Sequence, residues 1–199
     1  MSLDEKAWQA ARERIGRAAR AAGRDPATVR LLAVSKTQPA QAVRGAWELG
    51  QRAFGENYVQ EAAAKREALA GLEGIEWRLI GPLQSNKAAL AADVFDAVES
   101  VDRAKIAERL SAARLASRPP LEVLVQVNIS GEASKSGVTP DEAVALARSV
   151  AALPRLKYVR SMVPAVGWSV EVTSTAPHAV VMSPENARSK PLGLDSVRS

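Results

Sequence analysis

The feature that most restricts this chain is its alternation. Short apolar runs that read as buried strands are each followed by a segment with helical spacing. The strand readings cover 29–36, 52–58, 75–81, 94–100, 121–129 and 156–163. Helical spacing covers 4–23, 39–49, 57–70, 82–92, 102–115 and 140–152. Pro39 and Pro140 stand where helices open, and Gly23, Gly50 and Gly71 stand where they stop. A strand–helix repeat of roughly 25 residues predicts parallel strands joined by right-handed crossovers. Two α/β architectures fit: an open doubly wound sheet and a (β/α)8 barrel. Neither G-x-G-x-x-G nor G-x-x-x-x-G-K-[ST] follows any strand, so a dinucleotide or P-loop site has no support.

Both architectures gather ligands at the carboxyl ends of the strands. Polar residues collect there: Lys36, Glu56 with Asn57, Gly81 with Gln84 and Asn86, Ser100 with Asp102, and Asn128. One strand ending in a polar residue means little, but this many in register point to one shared pocket. Lys36 is the reactive member of the set. The apolar run Leu31-Leu32-Ala33-Val34 leads directly into Ser35-Lys36-Thr37. An amine in an apolar pocket loses stabilisation of its charge and becomes a nucleophile toward carbonyls.

Composition removes several other chemistries. The chain has no cysteine and a single histidine, His178. Disulfides, thiolate nucleophiles, multi-histidine metal sites and most catalytic triads are excluded. The formal net charge of +5 is spread along helices and interleaved with Glu and Asp, which fits a solvated surface and no nucleic-acid partner. No apolar run approaches the roughly 18–20 residues of a membrane span. Met1-Ser2-Leu3-Asp4-Glu5-Lys6 lacks a signal-peptide pattern, so a cytoplasmic location is expected.

Five stretches carry a resemblance. Ala33-Val34-Ser35-Lys36-Thr37, Phe54-Gly55-Glu56-Asn57-Tyr58-Val59-Gln60-Glu61, Ile80-Gly81-Pro82-Leu83-Gln84-Ser85-Asn86-Lys87, Val125-Gln126-Val127-Asn128-Ile129 and Ser134-Lys135-Ser136-Gly137 occur in order. Together they closely resemble the pyridoxal phosphate homeostasis protein family, over about residues 4–156. That family is similar to the N-terminal barrel of alanine racemase, the fold-type III pyridoxal phosphate barrel. The resemblance implies a (β/α)8-type barrel and a Schiff base between Lys36 and pyridoxal 5'-phosphate. It implies cofactor-side roles for Asn57, Gln84, Asn86 and Asn128. Lys135 is either a solvated loop lysine or a group that handles the cofactor. Glu56 either orients its neighbours or caps a strand end. Amides suit such a pocket because they fix orientation without adding charge. An alanine racemase also carries a second, mostly β domain and a tyrosine base, and neither Tyr58 nor Tyr158 stands in that context. The implied function is therefore a monomeric cofactor binder in pyridoxal phosphate homeostasis, with amino or keto acids as further small-molecule partners and no turnover. The rival is a degenerate barrel that binds no cofactor and serves as a protein-interaction module.

Two departures stand out. The family has a histidine where this chain has Arg78, which reads as an exposed substitution. The second departure is larger. The family's sixth strand, roughly L-R-G-L-M-A-I-P, is only loosely echoed by Lys157-Tyr158-Val159-Arg160-Ser161-Met162-Val163-Pro164. The S-x-G-M-S and V-R-x-G-x-x-I-F-G stretches that hold the cofactor phosphate in the family are absent from this sequence. Residues 157–199 are about twice as dense in Ser and Pro as the rest and lack helical spacing. The expectation is a barrel domain over 1–164, incomplete after the sixth strand, and an irregular tail over 165–199. Weak cofactor binding follows, with His178, Ser183 and Arg188 as poor substitutes for the lost phosphate contacts.

Overall fold

The computed structural model describes residues 5–129, 136–162 and 178–182. Its strands are β1 (Val29–Val34), β2 (Ala53–Glu56), β3 (Glu76–Leu79), β4 (Ala97–Val101), β5 (Leu121–Gln126), β6 (Leu156–Met162) and β7 (His178–Met182). Its helices are α1 (Glu5–Ala21), α2 (Ala40–Glu48), α3 (Val59–Ala68), α4 (Ala88–Val94), α5 (Ala104–Ala113) and α6 (Pro140–Ala151). All neighbouring strands are parallel, in the order β6-β5-β4-β3-β2-β1-β7. Sequential strands lie side by side from β1 to β6, which is barrel order and excludes the doubly wound alternative, whose order reverses.

The strand readings hold to within a few residues. The fourth helical reading is the loosest: Pro82-Leu83-Gln84 runs into a 3-10 turn, Ser85–Lys87, and the α-helix starts at Ala88. Gln84 has extended backbone, which holds off the helix until the turn is closed. At the end of α2, Gly50 has φ +93, and Gln51 N–H reaches back to the Ala46 carbonyl. A side chain at position 50 would strain that stop.

β7 departs from the expected irregular tail. It pairs with β1 from Val29↔His178 to Ala33↔Met182, on the side away from β2. That is where the last strand of a barrel returns to the first. The sheet remains open between β6 and β7 among the described residues. Ser183 and Arg188 lie outside them, as do Lys135 and most of the expected tail.

Alternation along each strand separates two faces. Phe54, Trp77, Leu79, Val98, Val123 and Val125 meet Val43, Val59, Ala62, Ala91, Ile106, Leu110 and Val150 in one continuous core between sheet and helices. Burying each large side chain contributes roughly 1.5–3 kcal/mol. The opposite face carries Leu32, Val34 and Leu124, all buried, and a row of charges. Arg30 pairs with Glu76, Arg78 with Glu76, Glu99 and Glu122, and Glu122 with Lys157.

Arg78 is the clearest correction. It is about 7% exposed, not a surface substitution. Its register partners Gly55 and Ala97 turn it onto the inner face of the sheet. There its Nε lies 2.5 Å from Glu99 Oε1 and its Nη1 2.5 Å from Glu76 Oε1. Burial alone would weaken its hold on the proton, but Glu99 and Glu76 more than offset this and hold it above its ordinary value.

Among the described residues, no helix is long and apolar enough to cross a membrane, and no acidic, histidine or cysteine cluster could hold a metal.

Candidate functional site

The carboxyl ends of β1 to β4 are stitched together by hydrogen bonds that continue the strand pairing. Ser35 N–H donates to the Gly55 carbonyl at 2.9 Å, and Ile80 N–H to the Glu56 carbonyl at 2.9 Å. Ser100 Oγ donates to the Gly81 carbonyl at 2.6 Å. Gly81 lies so close to the β2–α3 junction that a Cβ there would sit 2.4 Å from the Asn57 carbonyl oxygen. Only a glycine lets the two loops approach this far.

Lys36 lies in the turn that follows β1, two residues after Val34. The β1–β2 pairing, Ala33↔Phe54 and Val34↔Gly55, runs as far as the Ser35 N–H on the Gly55 carbonyl, so Lys36 and Asn57 follow the ends of adjacent strands. Both are half-buried. Among the described residues the Lys36 ammonium pairs with no carboxylate. Lys65 differs sharply: it is buried and fully engaged.

Lys65 is the centre of a polar cluster that the sequence reading missed. From α3, its Nζ donates to the Ser35 carbonyl at 2.6 Å, to Glu56 Oε1 at 2.7 Å and to Glu61 Oε1 at 2.7 Å. Ser35 Oγ donates to Glu56 Oε1 at 2.6 Å. Thr37 N–H donates to Glu61 Oε1 at 2.6 Å. Glu56 is fully buried, which pushes its carboxyl above the ordinary range, while the bonds from Lys65 and Ser35 pull it back. Glu56 therefore orients its neighbours, one of the two roles left open for it. The four-residue spacing of Glu61 and Lys65 on an alanine-rich helix was the available signal, but it marks an ordinary surface pair just as well.

The loop after β5 folds back on its own strand. Asn128 N–H donates to the Val138 carbonyl at 2.8 Å, Val138 N–H to the Gln126 carbonyl at 2.9 Å, and Gln126 Nε2 to the Ser136 carbonyl at 2.9 Å. This places Asn128, half-buried, at the end of β5. Gln84 and Asn86 stand apart. Both are exposed on the turn between β3 and α4, and that turn is tied to α5 through Arg109 Nη1, which donates to the Ser85 carbonyl at 2.9 Å. The geometry thus gathers Lys36 and Asn57 on adjacent strand ends and sets Asn128 at the end of β5. It provides an amine nucleophile on a clamped backbone, with neutral amides on the same edge of the sheet.

The chain is similar to known proteins in sequence and in fold. The family model of the alanine racemase N-terminal domain matches residues 8–163. The pyridoxal phosphate homeostasis protein of Pseudomonas aeruginosa is 60% identical over 144 residues, 72% of this chain and 62% of that protein. Its Escherichia coli counterpart is 52% identical over 148 residues, covering 73% and 63%. The chain spans less than two thirds of the length of these relatives. Among solved structures, PipY of Synechococcus elongatus with pyridoxal phosphate bound superposes with a TM-score of 0.65 at 38% identity, covering 76% of this chain and 70% of that one. An alanine racemase of Clostridium difficile superposes at 0.64 with 12% identity, covering 84% and 42%, a likeness of fold alone.

Proposed function

We propose that this chain, which belongs to the family of the alanine racemase N-terminal domain, binds pyridoxal 5'-phosphate through Lys36 and acts in pyridoxal phosphate homeostasis. The observation that carries this reading is the placement of Lys36: at the carboxyl end of β1, half-buried, its ammonium without a carboxylate partner among the described residues. An amine held in an ion pair would be a poor nucleophile, and Lys65, so held, is excluded from the role. The names of the relatives and the ligand of PipY point the same way.

The groups present fit one half of such a ligand. When bound, the cofactor supplies an aldehyde for the amine and an electron sink. Lys36 supplies the amine, and the Asn57 and Asn128 amides orient the ligand without adding charge. Gln84 and Asn86 are the outlying members of the set, because the turn that carries them is anchored to α5. Binding without turnover is the consistent role. Tyr58 is 60% exposed at the start of α3, and Tyr158 packs against the helix-side core. Neither is placed as a base beside Lys36.

The test is to mix the purified chain with pyridoxal phosphate, reduce with borohydride and map the modified lysine by mass. Label on Lys36, lost in Lys36→Ala, is expected. Absence of label from Lys36 at millimolar cofactor overturns the reading. Absence of label together with a concentration-dependent mass in solution would favour the interaction-module role instead.

A further inference from the structure

We propose that Glu61 is a positioning residue for Lys36: it sets the reach of the amine by holding Thr37 in a strained backbone conformation. This rests on the reading of Lys36 as the reactive lysine.

The two neighbours of Lys36 are held in different ways. Ser35 is fixed by four bonds: its N–H on the Gly55 carbonyl, its carbonyl accepting from Lys65 and from Gln38 N–H, and its hydroxyl on Glu56. Thr37 is the weak side. Its φ is +62, the one positive φ at a non-glycine position among the described residues. A β-branched side chain is poorly tolerated there, so the conformation persists only where surrounding contacts impose it. Two contacts do so: the turn bond from Gln38 N–H to the Ser35 carbonyl at 3.0 Å, which puts Thr37 at the positive-φ corner of a β-turn, and the 2.6 Å bond from Thr37 N–H to Glu61 Oε1, the one of the two that a side-chain substitution removes. The same oxygen accepts from Lys65 Nζ at 2.7 Å, so the clamp on Thr37 and the clamp on Ser35 meet at one lysine.

Between these clamps Lys36 has no ion pair of its own among the described residues. Its position is set through the backbone. Loss of the Glu61 carboxylate frees Thr37 to relax toward negative φ, and the Cα of Lys36 turns with it. Glu61 touches no reacting atom; it acts through Thr37. The carboxylate is part-exposed at 27%, so it is not a core residue whose removal leaves a large cavity.

The experiment measures the rate of borohydride-trapped labelling of Lys36 by pyridoxal phosphate in the wild type, Glu61→Ala, Thr37→Gly and the double variant. Glu61→Ala is expected to slow Lys36 labelling about tenfold, the scale of one lost charge-assisted hydrogen bond. Thr37→Gly is expected to restore most of that rate in the double variant, because glycine enters positive φ without penalty. A general structural role for Glu61 gives no rescue by Thr37→Gly, and that result overturns the proposal. So does an unchanged rate in Glu61→Ala. Where Glu61→Ala fails to fold, Glu61→Asp, whose shorter arm falls back from Thr37 N–H, is read in its place with the same expectation.

If the wild type takes no pyridoxal phosphate label, the cofactor reading fails but the positioning claim is still read. Reductive methylation with formaldehyde then gives the reaction rate of Lys36 relative to the exposed Lys105 on α5. Release of the half-buried amine raises that ratio in Glu61→Ala, and Thr37→Gly brings it back. An unchanged ratio overturns the claim.

Discussion

Replacing Arg78 with alanine should expose how the inner face of the sheet is held together. Arg78 and Glu99 are about 7% and 5% exposed, with Nε and Oε1 2.5 Å apart. Removal of the guanidinium strands the Glu99 carboxylate. Glu76 keeps Arg30 and Glu122 keeps Lys157, so the loss falls mainly on Glu99. Breaking a buried pair by removing one partner costs about 3–5 kcal/mol, because the remaining charge is left uncompensated. Against a typical total of about 5–15 kcal/mol this is a large fraction. In urea, with a slope of about 2 kcal/mol per molar, the midpoint should fall by about 2 M at unchanged slope. The double variant Arg78→Met/Glu99→Leu removes both charges and keeps the volume, and should recover to within about 1 kcal/mol of the wild type. Circular dichroism at neutral pH follows both. A loss below about 1 kcal/mol in Arg78→Ala, or a double variant less stable than the single one, would refute the view that the pair is buried and mutually dependent.

Gly81→Ala would put a Cβ 2.4 Å from the Asn57 carbonyl oxygen, a backbone atom that cannot swing away; a loss of about 1–3 kcal/mol in urea is expected, together with weaker Lys36 labelling as Asn57 is displaced. Glu142 receives hydrogen bonds from the Thr139 hydroxyl and N–H, which hold its carboxyl below the ordinary range. Its support of the α6 N-terminus is therefore complete above the usual glutamate value and is lost as pH falls through the lower folded value. Amide exchange in the first turn of α6 should show that acid dependence, and Glu142→Gln should abolish it. Burial raises the folded-state value of Glu56, so its contribution runs the other way: full below the usual glutamate value and declining as pH rises through the raised one. Urea midpoints across mildly acidic to neutral pH should carry that slope, and Glu56→Gln should flatten it.

The element order was legible because it rests on local patterns. Apolar runs such as Leu121–Gln126 and helix signals such as Pro140 act within a few residues of themselves. The Lys36 stretch was legible for the same reason: an apolar run that ends in a lysine is a local statement. Arg78 was not, because its exposure depends on which face β3 presents and on Glu99, which lies on another strand. β7 was missed because five residues in a stretch without helical spacing give no periodic signal, and only pairing with β1 defines the strand.

The sequence alone therefore determined the parallel α/β class, and it pointed to Lys36, at a strand end, as the candidate lysine. Tertiary structure decided what holds that lysine. Ser35, Thr37, Glu56, Glu61 and Lys65 are separated by up to 30 positions along the chain, yet hydrogen bonds of 2.6–2.7 Å join them. Hydrogen bonds and ion pairs act over a few ångströms of space, and distance along a sequence carries no record of them.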